Sequence, residues 1–116
     1  MRQAGIMAAA GIVALETMID RLEEDHINAR FFAEEVVRLG LGKIALDTVQ
    51  TNMVRADMSA TCPTGTELRD RLRQYNVSIL ASDSPWMRFV THYWIRREDL
   101  EYTLGALKEI ARGRIL

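Results

Sequence analysis

Residues 86–92 read WMRFVTH, and the way they alternate decides the fold. Successive strand side chains point to opposite sides, so Trp86, Arg88, Val90 and His92 share one face and Met87, Phe89 and Thr91 the other. The four residues before them, Ser82-Asp-Ser-Pro85, are turn chemistry, and 77–81 (VSILA) is a short apolar run. Residues 77–81 and 86–92 are therefore expected to be two strands split by a turn. Working outward, 51–58 (TNMVRADM) and 43–46 (KIAL) also read as strands. Thr64-Gly-Thr-Glu67 is a capping-box pattern, in which Thr64 caps a helix and Glu67 reaches back. That helix buries Leu68 and Leu72, keeps Arg69, Asp70, Arg71 and Arg73 in water, and ends at Asn76, which tolerates the left-handed conformation. After the last strand, a helix over 97–112 buries Leu100, Leu104, Leu107 and Ala111, with Gly113 as its stop.

Two helices precede this part. In residues 18–39, Met18, Leu22, Ala29, Phe32, Ala33, Val36 and Leu39 recur at three- and four-residue steps, while Glu23, Glu24, Arg30, Glu34 and Glu35 lie off that stripe. Gly40 and Gly42 stop the helix. His26 falls on the apolar stripe and reads as a core-edge histidine hydrogen-bonded to backbone or near Asp25, with no nucleophile or metal-ligand partner close in sequence. Residues 3–15 are apolar on every side, so that helix needs cover on most of its circumference, from another subunit or another domain. The expected class is α+β: leading long helices (1–40), then a small domain (43–116) with a mainly antiparallel sheet covered by helices, all within one domain.

A chain of 116 residues is enough for one modest core. The balance of 15 basic and 16 acidic residues, net charge −1, leaves no electrostatic footprint for nucleic acid or an anionic membrane. Cys62 is the only cysteine, so no intrachain disulfide can form, and no CxxC or HExxH pattern offers a metal site. Arg2 followed by the apolar run 6–15 imitates the start of a signal peptide, but Glu16 follows at once with no small-residue cleavage loop. The run is also too short to span a bilayer, and the expected location is cytoplasmic.

Arg88 is the residue most worth explaining. An arginine within an apolar strand needs a fixed partner, and its fork of donors matches a carboxylate in two parallel hydrogen bonds. The carboxylate could belong to a ligand, or to a structural acid such as Asp57 on the 51–58 strand. The residues by themselves leave both readings open.

Four short motifs in order bear on the choice: Met1-Arg2-Gln3-Ala4-Gly5; Leu22 with Glu24-Asp25-His26 and Asn28-Ala29; Thr51-Asn52-Met53; and Arg88-Phe89-Val90-Thr91-His92. In order and spacing they resemble the C-terminal region of threonine aldolases and the wider group of β-eliminating lyases. The resemblance implies the small C-terminal domain of an aspartate-aminotransferase-type fold, with the large cofactor-binding domain absent from this chain. It implies an enzyme that uses pyridoxal 5'-phosphate to cleave β-hydroxy amino acids to glycine and an aldehyde, in a homo-oligomer with active sites at subunit interfaces. By the same resemblance, Arg88 anchors the substrate carboxylate, and Arg2 lies near the cofactor phosphate, reached from a neighbouring subunit. The family's Schiff-base lysine sits in a serine-lysine-glycine segment that does not occur here, so the segment alone is expected to be inactive, a fragment beginning at a methionine internal to the family motif.

The sequence departs from the family after RFVTH, where an aspartate and a capping serine usually follow. Tyr93-Trp94-Ile95-Arg96 stand there instead, and because Arg96 cannot cap by its side chain, the last helix should start more weakly, by about 1 kcal/mol, or be capped in another way. Two other readings remain open: a stand-alone amino-acid-binding or regulatory module that uses Arg88 without chemistry, and a structural remnant that dimerises through 3–15.

Overall fold

The computed structural model describes residues 4–115, with side chains through residue 113. In chain order its elements are α1 (Gly5–Thr17), α2 (Leu22–Arg38), a 3-10 turn (Leu46–Thr48), β1 (Met53–Asp57), α3 (Gly65–Arg73), β2 (Trp86–Val90) and α4 (Arg97–Ile115). β1 and β2 form an antiparallel two-stranded sheet, with Met53 opposite Val90, Arg55 opposite Arg88 and Asp57 opposite Trp86. The class is α+β.

One face of the sheet is buried and the other open. Val54, Ala56 and Met87 point inward, against Ala29, Phe32, Ala33 and Val36 of α2 and Leu100, Leu104, Leu107 and Ile110 of α4. The Phe32 and Phe89 rings tie α2 to β2, with centroids 4.9 Å apart and planes tilted by 54°. Leu68 and Leu72 of α3 close the same core from the side. Met53, Arg55, Trp86, Arg88 and Val90 occupy the exposed outer face.

Local chemistry explains the helix ends. Gly40 adopts φ 69°, and the N–H groups of Gly40 and Leu41 donate to the carbonyls of Val37 and Val36, a Schellman closure of α2. Asn76 does the same for α3 at φ 62°, with Asn76 and Val77 donating to Arg73 and Leu72. The Thr64 hydroxyl accepts the Glu67 N–H at 3.2 Å, as the capping-box pattern requires. Glu67 does not complete the box: its carboxylate pairs with Arg71 one turn on. Arg96 is capped from the other direction, its backbone N–H donating to the Asp99 carboxylate at 2.9 Å. An acid in the first turn thus satisfies one of the helix's orphan donors, though not those an N-cap side chain would take, and also suits the helix dipole.

Other expectations need correction. Residues 77–81 form no strand. Their side chains alternate as a strand's would, with Val77, Ile79 and Ala81 half-buried and Ser78 and Leu80 exposed, but no ladder of hydrogen bonds joins them to β2. Residues 43–46 contribute one isolated bridge, between Lys43 and Asp57, before Leu46 turns into the 3-10 turn. The amphipathic helix starts at Leu22 rather than at 18, because 18–21 is a turn. α4 runs through Gly113, where a glycine costs about 1 kcal/mol without breaking the helix. His26 is exposed and makes no hydrogen bond among the described residues. The buried face of α2 is Asp25, Ala29, Phe32, Ala33 and Val36, which leaves His26 just past its edge, about 75° round the helix from its centre.

α1 buries none of its residues. Ile6 is 84% exposed and Leu15 69%, with Met7, Ile12 and Val13 more than half exposed. So much exposed apolar surface seeks a partner. The isolated chain is expected to self-associate through α1, and replacing Ile6 and Ile12 by polar residues should raise its solubility. Sedimentation of the unmutated chain as a stable monomer would refute this.

Candidate functional site

A buried hydrogen-bonded knot backs the site where α2, β1 and β2 meet. Thr91 follows β2 on its inner side and is buried. Its hydroxyl donates to the Asp25 carbonyl at 2.7 Å, and its N–H to the Asn52 carbonyl at 3.0 Å. The Asn52 side-chain amide returns a bond to the Thr91 carbonyl at 2.8 Å. Segments far apart in sequence are thereby stitched into one knot. The Asp25 carboxylate, almost fully buried, accepts two bonds from Arg21, at 2.8 and 3.1 Å. Hydrogen bonding to Asp25 raises the Arg21 pKa above its ordinary value, and the guanidinium also lies 4.9 Å from the centre of the Tyr93 ring. Among the described residues, no buried side-chain polar atom lacks a partner.

Arg88 stands on the opposite, open face. It is exposed, and makes no hydrogen bond or ion pair among the described residues. The pairing with Asp57 considered from sequence does not occur. Asp57 lies opposite Trp86, and its carboxylate accepts the Ser59 N–H at 3.0 Å. That backbone hydrogen bond, helped by the nearby charge of Lys43, holds the Asp57 pKa below its ordinary value. An arginine on this face has no burial cost to offset, so the demand for a structural partner disappears.

Beside β2 lies a groove of about 600 Å³, walled by residues 77–82, by β2 and by Leu100 and Thr103 of α4, with Arg88 and His92 among its lining. His92 is fixed in the following turn, its Nδ1 accepting the Trp94 N–H at 3.2 Å. Tyr93 and Trp94 stack edge to face at 4.9 Å and wall a second hollow of about 530 Å³ with Arg21 and Arg97. Arg97 in turn covers the Phe31 ring at 3.8 Å.

Residues 1–59 match the family model for β-eliminating lyases. The chain belongs to the β-eliminating lyase family. It is 39% identical over 102 residues to the low-specificity L-threonine aldolase of Escherichia coli K12, covering 86% of this chain and 28% of that protein. With the low-specificity L-threonine aldolase 1 of Arabidopsis thaliana it is 31% identical over 110 residues, covering 94% of this chain and 31% of that one. The chain thus spans about three-tenths of the length of these curated relatives. Its fold resembles a chain in a crystal structure of a SepCysS–SepCysE N-terminal domain complex, at TM-score 0.66 and 16% identity, covering 82% of this chain and 28% of that chain.

Within this lyase-family segment, the structure places Arg88 away from the knot that three of the four motifs build. Arg2 lies outside the described residues. Sequence reading missed the knot, although Asp25, Asn52 and Thr91 all stand inside the quoted motifs; their hydrogen bonds connect segments that only the fold brings together. It also passed over Arg55, which alternation along TNMVRADM puts on the open face but only the strand register sets against Arg88. A pyridoxal cofactor needs a lysine for its carbonyl carbon, and the two lysines here, Lys43 and Lys108, are exposed and line neither hollow. The described residues do not by themselves fit that cofactor.

Proposed function

We propose that this segment serves as the substrate-carboxylate side of a pyridoxal 5'-phosphate-dependent lyase that resembles L-threonine aldolase. The proposed reaction cleaves β-hydroxy amino acids to glycine and an aldehyde. Residues 1–40 would lead into the small domain 43–116, and the cofactor, with its lysine, would be carried by a large domain outside residues 1–116. One observation supports this most directly: Arg88, in the RFVTH motif, is exposed, with no protein acid to satisfy it among the described residues. A planar fork left open on a rigid strand is suited to a ligand carboxylate, gripped by two parallel hydrogen bonds. The role of Arg88 is to bind and orient, and orientation is where small errors in geometry cost much rate. Arg2 is proposed to contact the cofactor phosphate, across a subunit interface that the exposed α1 would help to form.

The reading is tested by assaying the intact enzyme for glycine and aldehyde release from threonine and other β-hydroxy amino acids. Release of neither product from any of them overturns it. A companion expectation concerns residues 1–116 alone. Mixed with pyridoxal phosphate and reduced with borohydride, they should acquire no stoichiometric, single-site lysine adduct. One such adduct, together with turnover, would show that the segment carries its own cofactor site.

A further inference from the structure

The open face of the sheet carries a second arginine, and the ladder fixes its relation to the first. Backbone bonds from Thr91 N–H to the Asn52 carbonyl and from Met58 N–H to the Pro85 carbonyl mark hydrogen-bonded positions at the two ends of the sheet. Stepping by two between them makes Val54–Phe89 and Ala56–Met87 the hydrogen-bonded pairs, and Arg55–Arg88 a non-hydrogen-bonded one. At such pairs the side chains stand closest, with Cβ atoms about 4.5–5.5 Å apart. Like charges directly opposite destabilise a sheet, so this pair works against folding unless an anion joins it. No protein acid does so among the described residues. Neither arginine makes an ion pair among the described residues, and the neighbouring Asp57 carboxylate is turned to the Ser59 N–H.

The two arginines hold different places: Arg88 lines the groove beside β2, and Arg55 is not among its walls. The Arg55 guanidinium sits over the Trp86 ring, 5.2 Å from its centre, displaced along the sheet from its cross-strand partner. This stacking holds the guanidinium in place without using up its hydrogen-bond donors. Two separate forks on one face, flanked by the exposed apolar side chains of Met53, Trp86 and Val90, suit two carboxylates joined by a short carbon chain.

We propose that Arg55 is a second acid-binding residue and that this face selects a dicarboxylic β-hydroxy amino acid, with one carboxylate on Arg88 and the other on Arg55. The proposal rests on the reading of Arg88 as the carboxylate anchor, and its test separates the two. In the 15N-labelled full chain, the Nε–Hε resonances of both arginines are followed during titration with succinate, acetate or inorganic phosphate at constant ionic strength. Succinate should move both resonances and bind about tenfold or more tightly than acetate, which should move Arg88. Arg55→Gln should abolish the preference for succinate and leave acetate binding at Arg88 within a fewfold, while Arg55→Lys keeps part of the preference. Succinate preference that survives Arg55→Gln, or phosphate binding as tight as succinate, overturns the second-acid assignment while leaving Arg88 as an anchor. If acetate does not move the Arg88 resonance, the anchor reading falls and this one with it.

Discussion

Arg88→Ala in the intact enzyme should lower kcat/KM by roughly a hundred- to ten-thousand-fold while hardly moving the melting temperature. The kinetic loss follows from removing a bidentate, charge-assisted contact, whose hydrogen bonds contribute about 1.5–3 kcal/mol each. Arg88→Lys keeps the charge but loses the planar fork, so it should recover only part of the activity. The insensitivity of folding follows from the structure, in which Arg88 is exposed and its side chain holds no protein partner among the described residues. If anything, the alanine variant should be slightly more stable, because Arg55 then faces a neutral neighbour. Measuring kcat/KM and melting temperature on the same variants tests both halves. A collapsed melting temperature with unchanged kinetics would sink the anchor role and restore a structural one.

Elements specified by neighbours in sequence could be read well, and elements specified by partners could not. α3 is the clearest success, since its Thr64 cap and Asn76 stop are local and both take the expected geometry. The leucine spacing of α4 likewise placed its buried face, with Leu100, Leu104 and Leu107 all in the core. Residues 77–81 show the limit. Their composition suits a strand and their side chains do alternate between core and solvent, but a strand also needs a neighbour's N–H and C=O groups, and no pattern within five residues encodes those. α1 is the extreme case, because a helix apolar all round has no preferred face and thus no readable partner.

The candidate site divides in the same way. Arg88 was identified from its residue type and its place on one side of WMRFVTH, both local properties. An arginine among apolar strand neighbours needs a fixed partner where the strand is buried on both faces. In a two-stranded sheet packed on one side, every second residue escapes that demand, and Arg88 is one of these. Asp25 is the converse. It stands directly after Glu23 and Glu24 in a run of acids, yet the phase set by Ala29, Phe32 and Val36 carries it inward to Arg21.

Thr91→Val should separate the structural from the chemical part of the RFVTH motif. Valine keeps the shape of threonine but cannot donate the 2.7 Å bond to the Asp25 carbonyl, and it leaves a buried site otherwise undisturbed. The loss should be about 1–2 kcal/mol, since the carbonyl keeps its helical partner while the tie between α2 and β2 is cut. For a chain of this size that corresponds to a fall in melting temperature of roughly 5–10 °C. Thr91→Ser retains the donor and should fall by less. Neither change touches the open face, so the carboxylate affinity at Arg88, read from its Nε–Hε resonance with acetate, should stay within a fewfold of the parent. An unmoved melting temperature combined with lost carboxylate binding would place Thr91 in ligand recognition instead. The two faces of one five-residue strand would then not be separable into a packing side and a binding side, because their side chains alternate across the sheet but share one backbone.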